Sequence, residues 1–308
     1  MPKIAVIGEG VIDRFIQGDS YHDVIGGSGL NTAVALRRAG ADATWFTRSA
    51  SDPNGQALSK YAEAEGVALQ PPIKGNEPAS LVKVSISNHG QPQYEFHLDG
   101  SVDWHWQESE LDRLGEGFEL FHLCCLSAVL DPGAELLLHK IKELKQQPTS
   151  PLISFDPNAR PSAAKDENQA GLMRTRIEEF VKLVDLVKVS DEDLGWIKPE
   201  IAPYELARLW STAGPKLVIM TCGGEGAVAF SEGIEICSVP AVTVNVIDTL
   251  GAGDTFMGWL LYQIANEHNC RIPVDHNSVA SLLSNAAKAA AITCSRKGCN
   301  PPFNSEIN

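Results

Sequence analysis

The chain has 308 residues, 44% of them apolar and 21% charged, which excludes a disordered or low-complexity protein. Lys and Arg number 25 against 39 Asp and Glu, and the net charge of −14 argues against a nucleic-acid binder, so any anionic ligand has to be held by local geometry. Seven cysteines without a C-x-x-C pair argue against a disulfide framework or a zinc cluster, and no run of 18 apolar residues suggests a membrane span.

The N-terminus, MPKIAVIGEG, holds four apolar residues between Lys3 and Gly8, too few for a signal segment, and the expected compartment is the cytoplasm. Short β-branched runs then alternate with amphipathic stretches of helical length. A strand over 4–7 precedes a helix over 30–38, a strand over 44–47 and a helix over 57–65. Beyond residue 120 come strands over 121–126, 152–155, 186–189 and 217–221, with helices over 134–145, 173–184 and 203–213 between them. This alternation predicts one α/β domain over 1–308, a central, mostly parallel sheet flanked by helices. One segment breaks the rhythm: residues 79–101 read as two alternating strands around His89, Gly90, Gln91 and Pro92, with no helix between. So short a turn cannot join parallel strands, and the segment reads either as a small β lid or as an inert edge hairpin.

Three glycine-rich segments carry the chemistry. In I-A-V-I-G-E-G-V-I-D the first strand is followed by Gly8, Gly10 and then Asp13, where a dinucleotide fingerprint would have its third glycine. An acid there repels a pyrophosphate but accepts hydrogen bonds from sugar hydroxyls, and Arg48-Ser49 after the second strand replaces the ribose-binding acid. An NAD-dependent oxidoreductase is therefore disfavoured. In G-G-S-G-L-N-T-A, residues 26–33, small residues let the backbone approach a ligand and start a helix, while Asn31 either contacts that ligand or merely caps the helix. In V-I-D-T-L-G-A-G-D-T-F-M-G, residues 246–258, the amides of Gly251, Ala252 and Gly253 form an anion nest with Asp254 at its mouth. G-x-x-x-x-G-K-[ST] is absent. An acid beside such a nest makes sense if it faces an attacking hydroxyl while the amides face a moving phosphoryl group.

Residues 26–41 and 246–258 together resemble the two signature motifs of the ribokinase-like (PfkB) carbohydrate kinases, and the resemblance extends over essentially the whole chain. D-P-N-A-R (156–160) is similar to a segment of fructokinase-like members, T-C-G-G-E-G (221–226) to the family's nucleotide loop, and 284–302 to its adenine and cation segment. The resemblance implies a ribokinase-like fold whose small β lid comes mainly from about 11–25 and 79–104. It implies an ATP-dependent sugar kinase that moves the γ-phosphoryl group to a primary hydroxyl, most readily of fructose. Asp254 is then the base and residues 251–253 the anion hole. Asp13, Gly27 and Asn31 hold the sugar, with Arg160 as sugar contact, phosphate clamp or buried structural ion pair. Tyr94, Phe96 and Leu98 share one face of the second hairpin strand, where Phe96 would cover the sugar ring and exclude water. Thr221, Gly223, Gly226 and Asn285 line the nucleotide.

The family's N-x-x-E motif is here Ser190-Asp191-Glu192-Asp193, so a water-mediated Mg2+ contact falls to Asp193 or Glu192. Lys188 either approaches the nucleotide phosphates or is a solvated surface lysine. Asp248, with carbonyls of 294–302, is the expected K+ site. Kinases of 2-keto-3-deoxygluconate or a riboside, and a non-catalytic sugar-binding regulator, remain alternatives, and both monomer and homodimer stay open.

Overall fold

The computed structural model describes residues 1–308 apart from 19, 70–72, 87–91, 99, 115–116 and 308. The first part of the chain forms β1 (Lys3–Ile7), β2 (Val11–Gln17), β3 (Ser20–Gly26), α1 (Ser28–Ala39), β4 (Asp42–Phe46), β5 (Arg48–Ala50), α2 (Pro53–Ala64), β6 (Ala68–Leu69), β7 (Ile73–Gly75), β8 (Ser80–Ile86) and β9 (Pro92–His97). There follow α3 (Glu108–Leu111), β10 (Leu120–Cys124), α4 (Cys125–Val129), α5 (Ala134–Gln146), β11 (Leu152–Asp156), α6 (Glu167–Val181), β12 (Leu186–Ser190) and α7 (Asp191–Ile197). The last part contains α8 (Pro203–Trp210), β13 (Leu217–Thr221), β14 (Ala227–Ser231), β15 (Ile234–Val239), α9 (Ala252–Asn266) and α10 (His276–Cys294).

Nine strands form the large sheet in the order β15-β14-β13-β12-β11-β10-β1-β4-β6, parallel except at β13–β14 and β14–β15. Its central strands are apolar on both faces, as helices on both sides require, and Ile4–Ile7 and Leu217–Ile219 are almost wholly buried. From β1 the chain goes first to β4 on one side and later to β10 on the other. The crevice at the carboxyl ends of β1 and β10 is therefore the topological switch point where such sheets bind ligands.

A second sheet, in the order β3-β2-β8-β9, pairs β2 with β8 in parallel and the outer strands antiparallel. Register sets Asp13 opposite Val82, Phe15 opposite Val84 and Phe96 opposite Val82. With a period of two, Val11, Asp13, Phe15, Val82, Val84 and Phe96 share one face. Val11, Val82 and Val84 form a small core of their own, against which Phe15 and Phe96 pack.

Asp103 joins this sheet to the large one. Its Oδ1 accepts from the Gly10 amide at 3.2 Å and its Oδ2 from the Ser80 hydroxyl at 2.5 Å, the residues from which β2 and β8 depart. Burial raises the Asp103 carboxyl to about 6, against the lowering pull of its bond from Ser80.

Several boundaries differ from expectation. Asp13 lies within β2, and not in a loop just past β1. The helix expected from 57 begins at Pro53, because the Asp52 side chain accepts from the Gly55 amide and caps it. The strand expected over 121–126 ends at Cys124, and α4 starts at Cys125. The expected turn at His89–Pro92 lies, except for Pro92, outside the described residues, as does the Tyr94 side chain. Among the described residues no helix is long and apolar enough to cross a membrane.

Candidate active site

Two helix starts meet above the switch point. Gly27 precedes α1 with φ 99°, and a Cβ there would stand 2.6 Å from the Glu9 carbonyl oxygen, so only glycine lets the helix dip this close to the end of β1. Gly251 precedes α9 in the left-handed region, φ 73°, with the Cys299 thiol packed where a side chain would point. The two helices lie against each other along a small-residue seam, since a Cβ at Gly258 would overlap Ala35.

The outcome of that packing is a bridge across the two motifs. Asp254, in the first turn of α9, accepts from Ser28 Oγ through Oδ1 at 2.9 Å and from Asn31 Nδ2 through Oδ2 at 2.8 Å. Asn31 therefore does not cap α1. Burial pushes the Asp254 carboxyl up, while the bond from Asn31 pulls it down.

Lys188 is buried, which removes the reading of it as a surface lysine. Its Nζ donates to Asp156 Oδ2 at 2.6 Å, and a methyl at Gly253 would lie 3.1 Å from that ammonium. Burial, the largest influence, would lower its pKa, but the Asp156, Asp254 and Asp193 carboxylates together outweigh it and the net shift is upward, so the charge is kept beside Gly253. Beneath it His122 accepts or donates at Nδ1 to Ser154 Oγ, 2.9 Å away, and burial followed by the nearby ammonium depresses its pKa to about 3. It is neutral at working pH.

Asp13 is largely buried on the inner face of the small sheet, and its carboxyl rises to about 6 because burial outweighs the attraction of Arg160. Arg160 is exposed, which sets aside a buried structural ion pair, and it acts electrostatically on both Asp13 and Asp193. Phe96 is half-buried on the Asp13 face, and β9 approaches the 3-10 turn Pro161–Ala163 that follows Arg160.

Ser190 and Asp193 form a reciprocal cap at the start of α7: Ser190 Oγ accepts from the Asp193 amide at 3.0 Å and Asp193 Oδ2 from the Ser190 amide at 3.4 Å. Asp193 is buried and burial raises its carboxyl, while Glu192 faces solvent. Ser190 pairs with Thr221 at the ends of β12 and β13, beside the turn of Gly223 and Gly226, in which the Cys222 amide donates to the Gly226 carbonyl. Asn285 on α10 is engaged with α9, donating to Gln263 Oε1 at 2.9 Å. Asp248 accepts from the Leu250 amide at 3.0 Å and from the Gly298 amide at 2.9 Å, tying the nest loop to the segment after α10.

The fold thus brings Asp254, Gly251–Gly253, Asn31, Lys188 and Asp193 into one crevice, and supplies neighbours that the motifs alone did not single out. Ser28 stands inside the first motif and Asp156 at the end of β11, both visible in the sequence but without an assigned task. Glu9 is fully buried, accepts from the Ser127 amide and hydroxyl at 3.4 and 3.3 Å, and is raised to about 7, mainly by burial.

Residues 1–306 match the family model for pfkB family carbohydrate kinases. The fructokinase of Rhizobium leguminosarum bv. trifolii is 33% identical over 263 residues, which cover 84% of this chain and 78% of that protein. The fructokinase of Xylella fastidiosa with bound ATP superposes with a TM-score of 0.86 at 24% identity, over 99% of this chain and 96% of that one. A Vibrio cholerae O395 fructokinase structure, with fructose, ADP and a calcium ion bound, gives a TM-score of 0.81 at 26% identity, over 97% and 94% of the two chains. A family match over nearly every residue, joined to this architecture and to the meeting of the two glycine motifs, establishes that the chain belongs to the pfkB family of carbohydrate kinases.

Proposed function

We propose that this kinase transfers the γ-phosphoryl group of ATP to a primary hydroxyl of fructose. The observation that carries the reading is the buried Asp254 carboxylate at the mouth of the Gly251–Gly253 nest, with the Lys188 ammonium alongside. An acid so close to an anion site is unfavourable unless a proton has to be taken there. Asp254 accepts the proton of the attacking hydroxyl as the hydroxyl oxygen bonds to the γ-phosphorus and the bond from that phosphorus to the bridging oxygen breaks, releasing ADP, while the nest amides and Lys188 offset the charge gathering on the phosphoryl oxygens. Asp13, the Gly27 backbone and the remaining polar valences of Asn31 hold the sugar. Arg160, near Asp13 and Asp193, reaches either the sugar or a phosphate. Ser190, Thr221, Gly223 and Gly226 line the nucleotide, with Asn285 beside the adenine. The fructose bound to the Vibrio cholerae relative and the name of the Rhizobium relative support this sugar.

Among the described residues no group of three or more His, Cys, Asp or Glu side chains could hold a metal ion. A Mg2+ ion carried in by ATP would be touched by the Asp193 carboxylate through water, where it would neutralise phosphate charge. Glu192, turned to solvent, is the weaker choice. Asp248, which already draws the 298 amide toward the nest loop, together with carbonyls of 294–302, would hold K+ and orient the nest. Reduced thiols and ATP chemistry fit the cytoplasm.

The decisive experiment measures ADP release with ATP, Mg2+ and a panel of fructose, 2-keto-3-deoxygluconate and ribosides, in potassium and in a bulky organic cation. Fructose should give the highest kcat/KM and potassium the faster rate. ADP release with no sugar of the panel would overturn the kinase assignment to these substrates; equal rates in the two cations would remove the K+ site.

The small sheet works as a lid in this reading, with Phe96 over the ring. Phe96→Ala should raise the fructose KM and the sugar-independent ATPase together, leaving the ATP KM nearly unchanged. Loss of thermal stability alone would instead assign Phe96 to the Val11, Val82 and Val84 core.

A further inference from the structure

We propose that Ser28 is a positioning residue for the reaction, its hydroxyl holding the Asp254 carboxylate in the orientation that receives the acceptor proton. The inference rests on the reading of Asp254 as the base. Ser28 is the first residue of α1, 5% exposed, and its Oγ donates to Asp254 Oδ1 at 2.9 Å across 226 residues of sequence. Helix formation does not need that hydroxyl. Gly27 is the cap of α1, and no side chain caps the helix. A serine at this position could leave its hydroxyl in the crevice, yet it is spent on the carboxylate.

The second donor, Asn31, reaches the other oxygen, but one of its N–H groups and its carbonyl are claimed by the sugar in the proposed reaction. Ser28 also hydrogen-bonds with the buried Cys124 thiol, but it has no part in holding the sugar, so of the two donors it is the one directed to the base and not to the substrate. Each carboxylate oxygen has two acceptor positions, so Oδ1 can keep the bond from Ser28 and still take a proton at the second. The charged neighbours pull in both directions. Asp156 at the end of β11 and Glu9 after β1 oppose ionisation of Asp254, Lys188 on β12 favours it, and the thiols of Cys124 and Cys299 lie within electrostatic reach. In so crowded a site a neutral donor adds orientation and supports the anion without adding charge.

The sign of the test follows. A hydrogen bond to the ionised form lowers a carboxyl pKa, so its removal raises it and moves the acid limb of kcat/KM to higher pH. Ser28→Ala should cut kcat/KM at neutral pH by about tenfold and move the acid limb up by about one pH unit, with the ATP KM little changed. Ser28→Thr, which keeps a hydroxyl, should return the limb toward the wild-type position. In the Asp254→Asn background Ser28→Ala should add less than about twofold, because the group through which it acts is gone. A limb that stays in place in Ser28→Ala, or a full further loss in the Asp254→Asn background, overturns the role of Ser28 while leaving the base intact. An Asp254→Asn enzyme with the wild-type rate overturns the base itself, and this inference with it.

Discussion

Replacing Asp254 by Asn should lower kcat by about 10² to 10⁴ while the fold and most of the ATP affinity survive. The side chains are nearly the same size, and the amide can still accept from Ser28 or Asn31 at its oxygen, so the bridge between α1 and α9 keeps one of its two bonds. What disappears is the capacity to take a proton, together with a negative charge whose burial among Asp156 and Glu9 is unfavourable. The variant should therefore melt no lower than the parent protein, or only slightly lower. Steady-state kinetics with nucleotide binding by titration calorimetry would check both halves. A rate within tenfold of wild type removes proton transfer to Asp254 from the mechanism.

Lys188→Met should destabilise the protein by about 3–5 kcal/mol, since removing one member of a buried pair strands the other. Asp156 is 1% exposed and its Oδ2 accepts from the lysine at 2.6 Å, and Asp254 and Asp193 lie close enough to repel its charge. Without the cation the Asp156 carboxylate is left buried with no charge partner, and the penalty is the cost of burying that charge. The penalty is then absent at pH values below the unfolded carboxyl range and grows as pH rises through it. Urea unfolding of the variant should show stability recovering toward acid pH, and the double change Lys188→Met with Asp156→Asn should recover it at neutral pH. Catalysis should fall in both, because the ammonium is also next to the nest. A loss under about 1 kcal/mol for Lys188→Met would mean that no charge pair stands under the site.

The sequence displayed this architecture in its rhythm: β-branched runs of four or five residues at the positions of β1, β4, β11, β12 and β13 have to be buried on both faces, and little else suits them. The hairpin β8–β9 was legible for the opposite reason, an alternation with no room for a helix. Less legible were β2 and β3. Asp13 and Arg14 interrupt the apolar pattern of β2, and β3 opens on the polar run Ser20-Tyr21-His22-Asp23, so although the two strands form a local hairpin no apolar alternation marks it; the second partner of β2, β8, comes some seventy residues later. The glycine motifs marked the two helix starts and the acid beside the second, Gly27 before α1 and Gly251 before α9 with Asp254 in its first turn, because backbone freedom and an ionisable group rarely coincide without cause. They did not announce Ser28 as the donor to Asp254, nor Asp156 as the partner of Lys188. Both contacts depend on how α1 and α9 pack and on the order β11-β12, and a serine or an aspartate in isolation carries no mark of its distant partner. Glu9 and Asp103 were hidden in the same way, as acids whose burial is decided by elements that arrive later in the chain.

The bridge from Ser28 and Asn31 to Asp254 also bears on when the protein becomes an enzyme during its synthesis. The residues proposed to hold the sugar are made first, and α1 can begin to form soon after it leaves the ribosome. The proposed base and its nest are among the last sixty residues, so the growing chain spends most of its elongation with half of a site. Closing a loop of that length is entropically unfavourable until the packing of α9 on α1 and on α10 rewards it. A nascent or partly folded chain can therefore present hydroxyl-binding groups but has no means of activating a hydroxyl, and ATP near an unfinished molecule is safe from it. Phosphoryl transfer needs both halves of the site, so it waits on the packing of α9 against α1.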